Sequence, residues 1–392
     1  MFRISRIQEL MKQIPRGEFD RSVERHQADK YSKRFGSWDQ LTAMVYAQLS
    51  DAQSLRQIQA GFNAQRTHHY HLGTHELKRS TLADANASRT PQVFADLASS
   101  LMSKVKGQLR RSCKELLYLL DSTSITLKGR GFDEWTHAQQ TRHTQGVKLH
   151  MLYESNAQAP CWHSITPANV NDRNEAVRLP IESGAVYVFD KAYCDYTWWH
   201  GIDCQGARFV TRFKRNAALL VVQERTIVPS PPEMAHIILK DEIVRFSHKH
   251  PGAKRRNPYN QQLRRVTVAR EANTPLVLAT NDLDAPAAQI AQLYKERWQV
   301  ELFFKWIKQH LRIKRFFGQT ENAVRIQILT ALITHLLLTL YKQTHHIAAS
   351  LWNLLGELRA TLFQRPSLEA QRYHQRRQRL HEFNAVQPGL FS

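Results

Sequence analysis

The sequence is short of cysteine, short of acidic residues and without a long uninterrupted apolar run. Its four cysteines, Cys113, Cys161, Cys194 and Cys204, form no CxxC pair. That excludes a zinc ribbon or a disulfide-stapled secreted scaffold and fits reduced intracellular thiols. The first residues, MFRISRIQELMKQ, carry basic side chains but no apolar core of signal-peptide length. The most apolar stretch, residues 326–340, is too short for a bilayer and is punctuated by Thr and His, so it predicts a buried helix and no membrane. No internal repeat and no low-complexity segment occurs. What remains is a soluble, cytoplasmic, folded protein.

What is abundant is positive charge. Against 34 acidic residues stand 55 Lys and Arg, a formal net charge of +21. The excess is spread along the whole chain, which suits an extended polyanion and points to nucleic acid. With 392 residues and 42% hydrophobic composition, the chain can build two or three domains and a sizeable core.

Patterning divides the chain. Residues 1–110 predict helices over 2–14, 38–49, 55–62 and 89–102, with Pro15-Arg16-Gly17 breaking the first. Between the third and fourth lies a polar, basic stretch. Its histidines (His68, His69, His71, His75) lack a familiar ligand pattern, so the region reads as a helical DNA-binding part with Arg66, Lys78, Arg79 and Arg89 as phosphate contacts. Residues 111–213 change to strands at 115–121, 146–154, 159–165, 185–190 and 207–213, with a tight step after Asp121. Residues 214–275 hold short β-prone pieces between Pro-rich and basic turns, and read as a β-rich insertion. Residues 276–345 resume the core with a strand at 276–280 and a long helix, then another at 321–343. Residues 346–392 add a helix at 348–363 and a basic tail.

The long helix organises the chemistry. Over 294–311, YKERWQVELFFKWIKQHL, there is no Gly or Pro and apolar residues recur at helical spacing. At about 100° per residue, Tyr294, Arg297, Glu301 and Lys308 fall within roughly 60° of arc. Leu302, Phe303, Trp306 and Ile307 are left to pack the helix. Alone, such a stripe reads as a solvated charged face with i,i+4 pairs. Asp121 and Asp190, each closing an apolar strand run, change that reading. Neighbouring strand ends bring acids to one sheet edge, where they can join Glu301 as hard oxygen ligands for Mg²⁺. Two ions about 3.5–4 Å apart would serve phosphoryl transfer. Arg297, Lys308 and Tyr294 would hold flanking phosphates.

The blocks LLDST around Asp121 and VFDKAYCDY around Asp190, with Tyr294-x2-Arg297-x3-Glu301-x6-Lys308, resemble the DDE transposases of the insertion-sequence-4 family. The resemblance covers residues 115–345. It implies an α/β protein: an RNase H-like core, a mixed sheet flanked by helices, interrupted by the β-rich insertion, with helical N- and C-terminal parts. It implies Asp121, Asp190 and Glu301 as catalytic ligands of two Mg²⁺ ions, with Mn²⁺ able to substitute. It implies cut-and-paste transposition through a hairpin, on double-stranded DNA (terminal inverted repeats and target), by a homodimer in a synaptic complex. Location on the bacterial nucleoid follows. A catalytically inactive DNA-binding copy competing for the same ends is the alternative. The family stacks a flipped base on an aromatic residue, for which Tyr259, Phe246 and Trp298 are the candidates; core packing is the ordinary role for Trp298.

Overall fold

The computed structural model describes residues 4–109, 116–129, 131–141, 144–227, 237–247, 257–270 and 273–364; the basic tail and much of the Pro-rich turns of 214–275 lie outside these. It is a mixed α/β protein whose contacts divide it into two compact units.

Unit 1 comprises Met1–Val105, Gly129–Trp135 and Trp306–Ser392. Its centre is the helix Glu321–Thr344, packed by Ser37–Leu49, Arg79–Ser88, Leu351–Thr361 and Arg6–Met11. Its apolar composition would suit a membrane, but 94% of its most apolar window is buried in the protein. The threonines that punctuate it are satisfied internally: Thr330, Thr334 and Thr339 donate to the carbonyls of Ile326, Thr330 and His335. Thr320 caps its start by accepting from the Ala323 amide. Two helices go beyond the sequence reading. The first helix stops at Met11, short of Pro15, and Pro15 opens another, Arg16–Arg25, because a proline's missing N–H costs nothing at a helix start. The polar stretch after Lys78 is also helical, Arg79–Ser88, with Leu82 and Ala85 buried.

Unit 2, Lys106–Lys128 and Thr136–Lys305, is built on one nine-stranded sheet. The strands are β1 (Leu117–Thr126), β2 (Gly146–Glu154), β3 (Ala159–Pro167), β4 (Val186–Phe189), β5 (Arg208–Arg212), β6 (Leu219–Glu224), β7 (Ile238–Phe246), β8 (Leu263–Arg270) and β9 (Asn273–Thr280). Their order is β3-β2-β1-β4-β5-β9-β8-β7-β6. β1, β4 and β5 are parallel; every other pairing is antiparallel. Of the central strands, VYVF is a continuous apolar run buried throughout, and RFVTR is buried at its middle residues Phe209, Val210 and Thr211, as strands covered on both faces must be. Tyr187, Phe189, Trp198, Trp199 and Phe209 fill the core on one side. The β-rich segment adds β6, β7 and β8 to the same sheet by way of β9.

Two expectations about the site's framework are corrected. β1 has no tight step at Asp121: it runs on to Thr126, paired with β2 throughout. The sequence STSIT is β-branched enough to continue a strand, and only the pairing with β4 stops, at Leu120. The 294–311 helix is two helices, Ala287–Glu296 and Trp298–His310, meeting at Arg297. There the bonds tighten to three-residue spacing, from the Arg297 amide to the Tyr294 carbonyl and from the Val300 amide to the Arg297 carbonyl. Leu302 is turned outward, 47% exposed, while Val300 and Phe304 take buried positions beside Phe303 and Ile307.

One glycine holds the β1–β2 ladder. Gly146 has φ of 143°, and a Cβ there would lie 2.2 Å from the Ile125 carbonyl oxygen. Gly146→Ala is expected to cost ~3 kcal/mol or more, measured by denaturant unfolding. A loss below about 0.5 kcal/mol would show that the ladder tolerates a side chain there.

Candidate active site

The site is assembled by strand phase. In the parallel pair, Leu117 stands level with Val186 and Leu120 with Phe189. The next residue of each strand run is an acid, so Asp121 and Asp190 come level and share a face. Because β4 ends there and β1 continues, the flank of β1 beside Asp121 is open toward that side. β5 extends the phase: Val188 is level with Val210, which brings Arg212 level with Asp190. Arg212 Nε lies 3.1 Å from Asp190 Oδ1, and Nη2 donates to the same oxygen.

The two helices bring the remaining groups. Tyr294, in the last turn of the first, donates its hydroxyl to Asp190 Oδ1 at 3.4 Å. Arg297, in the break, reaches both ways. Its Nη1 is 3.4 Å from Asp121 Oδ2 and its Nη2 is 2.5 Å from Glu301 Oε1. One guanidinium therefore ties the strand acid to the helix acid, while its Nε is buried without a hydrogen-bond partner.

The acids differ electrostatically. Burial raises the Asp121 carboxyl to about 6; Glu301 and Asp190 push the same way, and the Ser122 amide and Arg297 oppose. Burial also pushes Asp190 upward, but the Arg212 hydrogen bond, the Lys191 amide and the Arg212 and Arg297 charges outweigh it, holding Asp190 below the usual range. Burial raises the Tyr294 phenol despite both arginines. Behind Asp121, Ser122 donates its amide to Asp121 Oδ1 and its hydroxyl to Asp172, both at 2.8 Å. Lys148 Nζ lies 3.1 Å from the same Asp172 oxygen. Nearby His150 is kept neutral, burial lowering its pKa to about 4, and bonds Thr166 Oγ1 at 2.8 Å.

Among the described residues, no three His, Cys, Asp or Glu side chains stand together closely enough to hold a metal ion. Arg297 stands between Asp121 and Glu301, while Arg212 and Tyr294 hold Asp190. The donor set still fits a hard divalent cation. Asp121, Asp190 and Glu301 offer only oxygen, and Asp121 is raised partly by the other two charges, a repulsion a bound cation relieves.

Thus Asp121, Asp190, Tyr294, Arg297 and Glu301 are together in unit 2. Lys308 lies on the second helix but in unit 1, its ammonium pKa lowered by burial and by Lys314. Lys78 and Arg79 are exposed in unit 1. Arg89 is corrected from phosphate contact to internal hub. Its side chain is largely buried against Asp29, Gln40, Ser32 and the Phe35 carbonyl. Of the aromatic candidates, Tyr259 is 2% exposed, and Phe246 packs on Tyr196 at 4.4 Å between centroids. Neither is free to stack on a base. Trp298, a stacking candidate whose ordinary role would be core packing, is 58% exposed, because it lies on the outward stripe of its helix with Leu302 and Lys305. Arg212 and the Asp172–Lys148 support escaped sequence reading. Nothing in the sequence set Arg212 apart from the other Lys and Arg residues, 55 in all.

With this geometry in view, comparisons identify relatives. The transposase DDE domain matches residues 112–337, and a domain of unknown function matches residues 3–75. A Sinorhizobium fredii protein named as transposase y4zB is 40% identical over 74% of this chain and 78% of its own length. A Geobacillus stearothermophilus protein named as the transposase for insertion sequence element IS5377 is 31% identical over 64% of each chain. The piggyBac transposase synaptic complex with hairpin DNA aligns over 94% of this chain and 82% of its own, at 10% identity and a TM-score of 0.46.

Proposed function

This chain belongs to the DDE transposase domain family, and from that premise we propose that it is the cut-and-paste transposase of its own insertion sequence. We place it in the insertion-sequence-4 branch that carries the Tyr-Arg-Glu-Lys signature. The observation that carries the reading is the level pair Asp121 and Asp190, joined to Glu301 through Arg297. The strand order β3-β2-β1-β4-β5, with β2 antiparallel to β1, supports an RNase H-like core. β6, β7 and β8 correspond to its β-rich insertion.

Asp121, Asp190 and Glu301 would hold two Mg²⁺ ions, or Mn²⁺ in their place, which when bound neutralise charge on the scissile phosphate and acidify water. The chain's own groups position DNA. Arg297 and Arg212, released from the carboxylates, are placed to take phosphate oxygens, Arg in particular offering a bidentate fork. Tyr294 donates a hydrogen bond beside them, and Lys308 adds a charge further along the helix. Trp298, exposed next to Arg297, is the residue positioned to stack on a displaced base.

The reaction is a series of in-line displacements at phosphorus. A water oxygen bonds to phosphorus as the P–O3′ bond breaks, and the 3′ oxygen leaves as a 3′-OH. That 3′-OH attacks the opposite strand, closing a hairpin and expelling the flanking strand. A second water bonds to the hairpin phosphorus as its P–O3′ bond breaks, freeing the 3′-OH again, and that 3′-OH bonds to a target phosphorus as the target strand's own P–O3′ bond breaks. The protein forms no covalent intermediate; positioning and charge are its contribution. The working form is a homodimer bridging two ends, acting in the cytoplasm on the nucleoid.

Incubating the protein with a labelled duplex carrying the element's end, with Mg²⁺ or with EDTA, tests this on a denaturing gel. The expected result is nicking at the end and a hairpin-sized product with Mg²⁺, and neither with EDTA. Tight binding without cleavage in any divalent metal would move the assignment to a non-catalytic DNA-binding protein.

A further inference from the structure

Unit 1 holds a second charged surface, centred on a loop that carries none of the residues assigned above. Between the helices Arg16–Arg25 and Ser37–Leu49 runs the loop of residues 26–36, HQADKYSKRFG. Lys30, Tyr31, Ser32, Lys33 and Arg34 are all exposed, Tyr31 at 89%. An exposed loop of this kind ordinarily carries no structural information. This one is anchored from beneath. The Arg89 guanidinium donates to Ser32 Oγ at 2.6 Å and to the Phe35 carbonyl, and its Nη2 lies 3.4 Å from Asp29. It sits over the Phe35 ring, 5.6 Å from the centroid. Asp29 in turn accepts from the Ser37 amide and hydroxyl at 2.8 Å, so one carboxylate fixes both the loop and the start of the next helix. Gln40 completes the base, bonding Arg89 at 3.1 Å and Asn86 at 2.8 Å.

The buried guanidinium thus holds the backbone while three cations on the same loop point outward. Across a groove of about 1000 Å³ from them stands Lys78, at the start of the helix Arg79–Ser88. Glu76 and Asp84, both exposed, also line that groove, so its lining is mixed in sign with cations in excess. A rim of cations on a preorganised loop binds a backbone of regularly spaced phosphates with little ordering cost. The bare phenol of Tyr31, with Lys30 5.7 Å over its ring, offers a flat, hydrogen-bonding contact for the sugar-phosphate wall.

We propose that the Lys30–Arg34 loop and Lys78 form a DNA-backbone clamp on unit 1, gripping double-stranded DNA independently of the acidic residues of unit 2. The loop lies in the region that matches the domain of unknown function and Lys78 lies just after it; the proposal rests on the transposase reading for the identity of the DNA. Its contribution is sequence-independent affinity. Specificity lies elsewhere, because phosphate contacts carry no base information.

The test measures equilibrium binding of the full chain to a duplex carrying the element's end, by fluorescence anisotropy at several salt concentrations. The variant Lys30→Ala/Lys33→Ala/Arg34→Ala is compared with a control losing three other exposed cations of unit 1, Lys12→Ala/Arg21→Ala/Arg56→Ala. The loop variant should weaken binding about tenfold or more and lower the slope of log K against log salt by about 3, one unit per lost phosphate contact. The control should leave the slope unchanged within about 1. Because the substituted side chains are exposed, both variants should keep the wild-type unfolding midpoint. Equal slopes for the loop variant and wild type, or an equal drop in the control, would overturn the clamp while leaving the transposase reading in place. A wild-type chain that binds no duplex would overturn both.

Discussion

Asp121→Ala, Asp190→Ala and Glu301→Ala should each lower end cleavage by at least about 10³-fold while leaving binding to the end within a few-fold. The three acids are one functional unit, so any double substitution should cost little more than a single one. The measurement is single-turnover cleavage of a labelled end, with binding read separately. A variant that still cuts at a tenth of the wild-type rate removes that residue from the site. Loss of fold can be set apart for Asp121. Its carboxyl is raised from the ordinary value to about 6, burial being the first cause. A raised acid binds its proton more tightly in the folded chain, so its ionised form destabilises the fold above that range. Without divalent metal, Asp121→Asn should therefore be more stable than wild type at pH 7. The advantage should shrink as pH falls through about 6 toward 4, where the wild-type carboxyl becomes neutral. A variant less stable than wild type throughout that window would show that the bonds from Arg297 and the Ser122 amide outweigh burial.

The largest stability effect is expected at Arg264, which no sequence pattern singled out. It stands on β8, 2% exposed, with Nε and Nη2 each 2.7 Å from the two oxygens of Asp241 on β7. Its Nη1 donates to the Ala285 carbonyl, just before the helix Ala287–Glu296 that carries Tyr294. Arg264→Met leaves Asp241 buried and short of a partner, and should cost about 3–5 kcal/mol. Arg225, 3.9 Å from Asp241, tempers the loss toward the lower end. Replacing both members, Arg264→Met with Asp241→Leu, should recover most of it, because the stranded charge is gone. Denaturant midpoints of the two singles and the double settle this. A single substitution costing under about 1 kcal/mol would mean that the pair is solvated and not structural. Cleavage should fall in the single variant as well, since the Ala285 contact positions the strand-to-helix turn ahead of Tyr294.

By itself the sequence determined the ingredients. Apolar runs of period two gave the strands, and LRRVTVAR reads as β8 over the same residues it occupies. The spacing of Tyr294, Arg297 and Glu301 put them on one stripe, and three of those side chains do meet Asp121 or Asp190 directly or through Arg297. Asp121 and Asp190 were legible because each follows an apolar run, although β1 continues through Asp121 while β4 stops before Asp190. What only the tertiary structure decided was phase and charge balance. The level of Leu120 with Phe189 is a property of two strands 69 residues apart, and neither strand contains it. The break at Arg297 was hidden because YKERWQ is made of good helix formers, so propensity had no reason to stop. Outward Trp298 and Leu302 followed from which side of the helix the sheet covers, a choice periodicity leaves open. Arg89 and Arg212 look in sequence like every other arginine of a chain with 55 cationic residues. Only the carboxylates brought to them by distant strands and loops, Asp29 and Asp190, turned one into a buried hub and the other into a member of the site. Long-range charge pairing has no period, so it is settled only when the backbone brings the partners together.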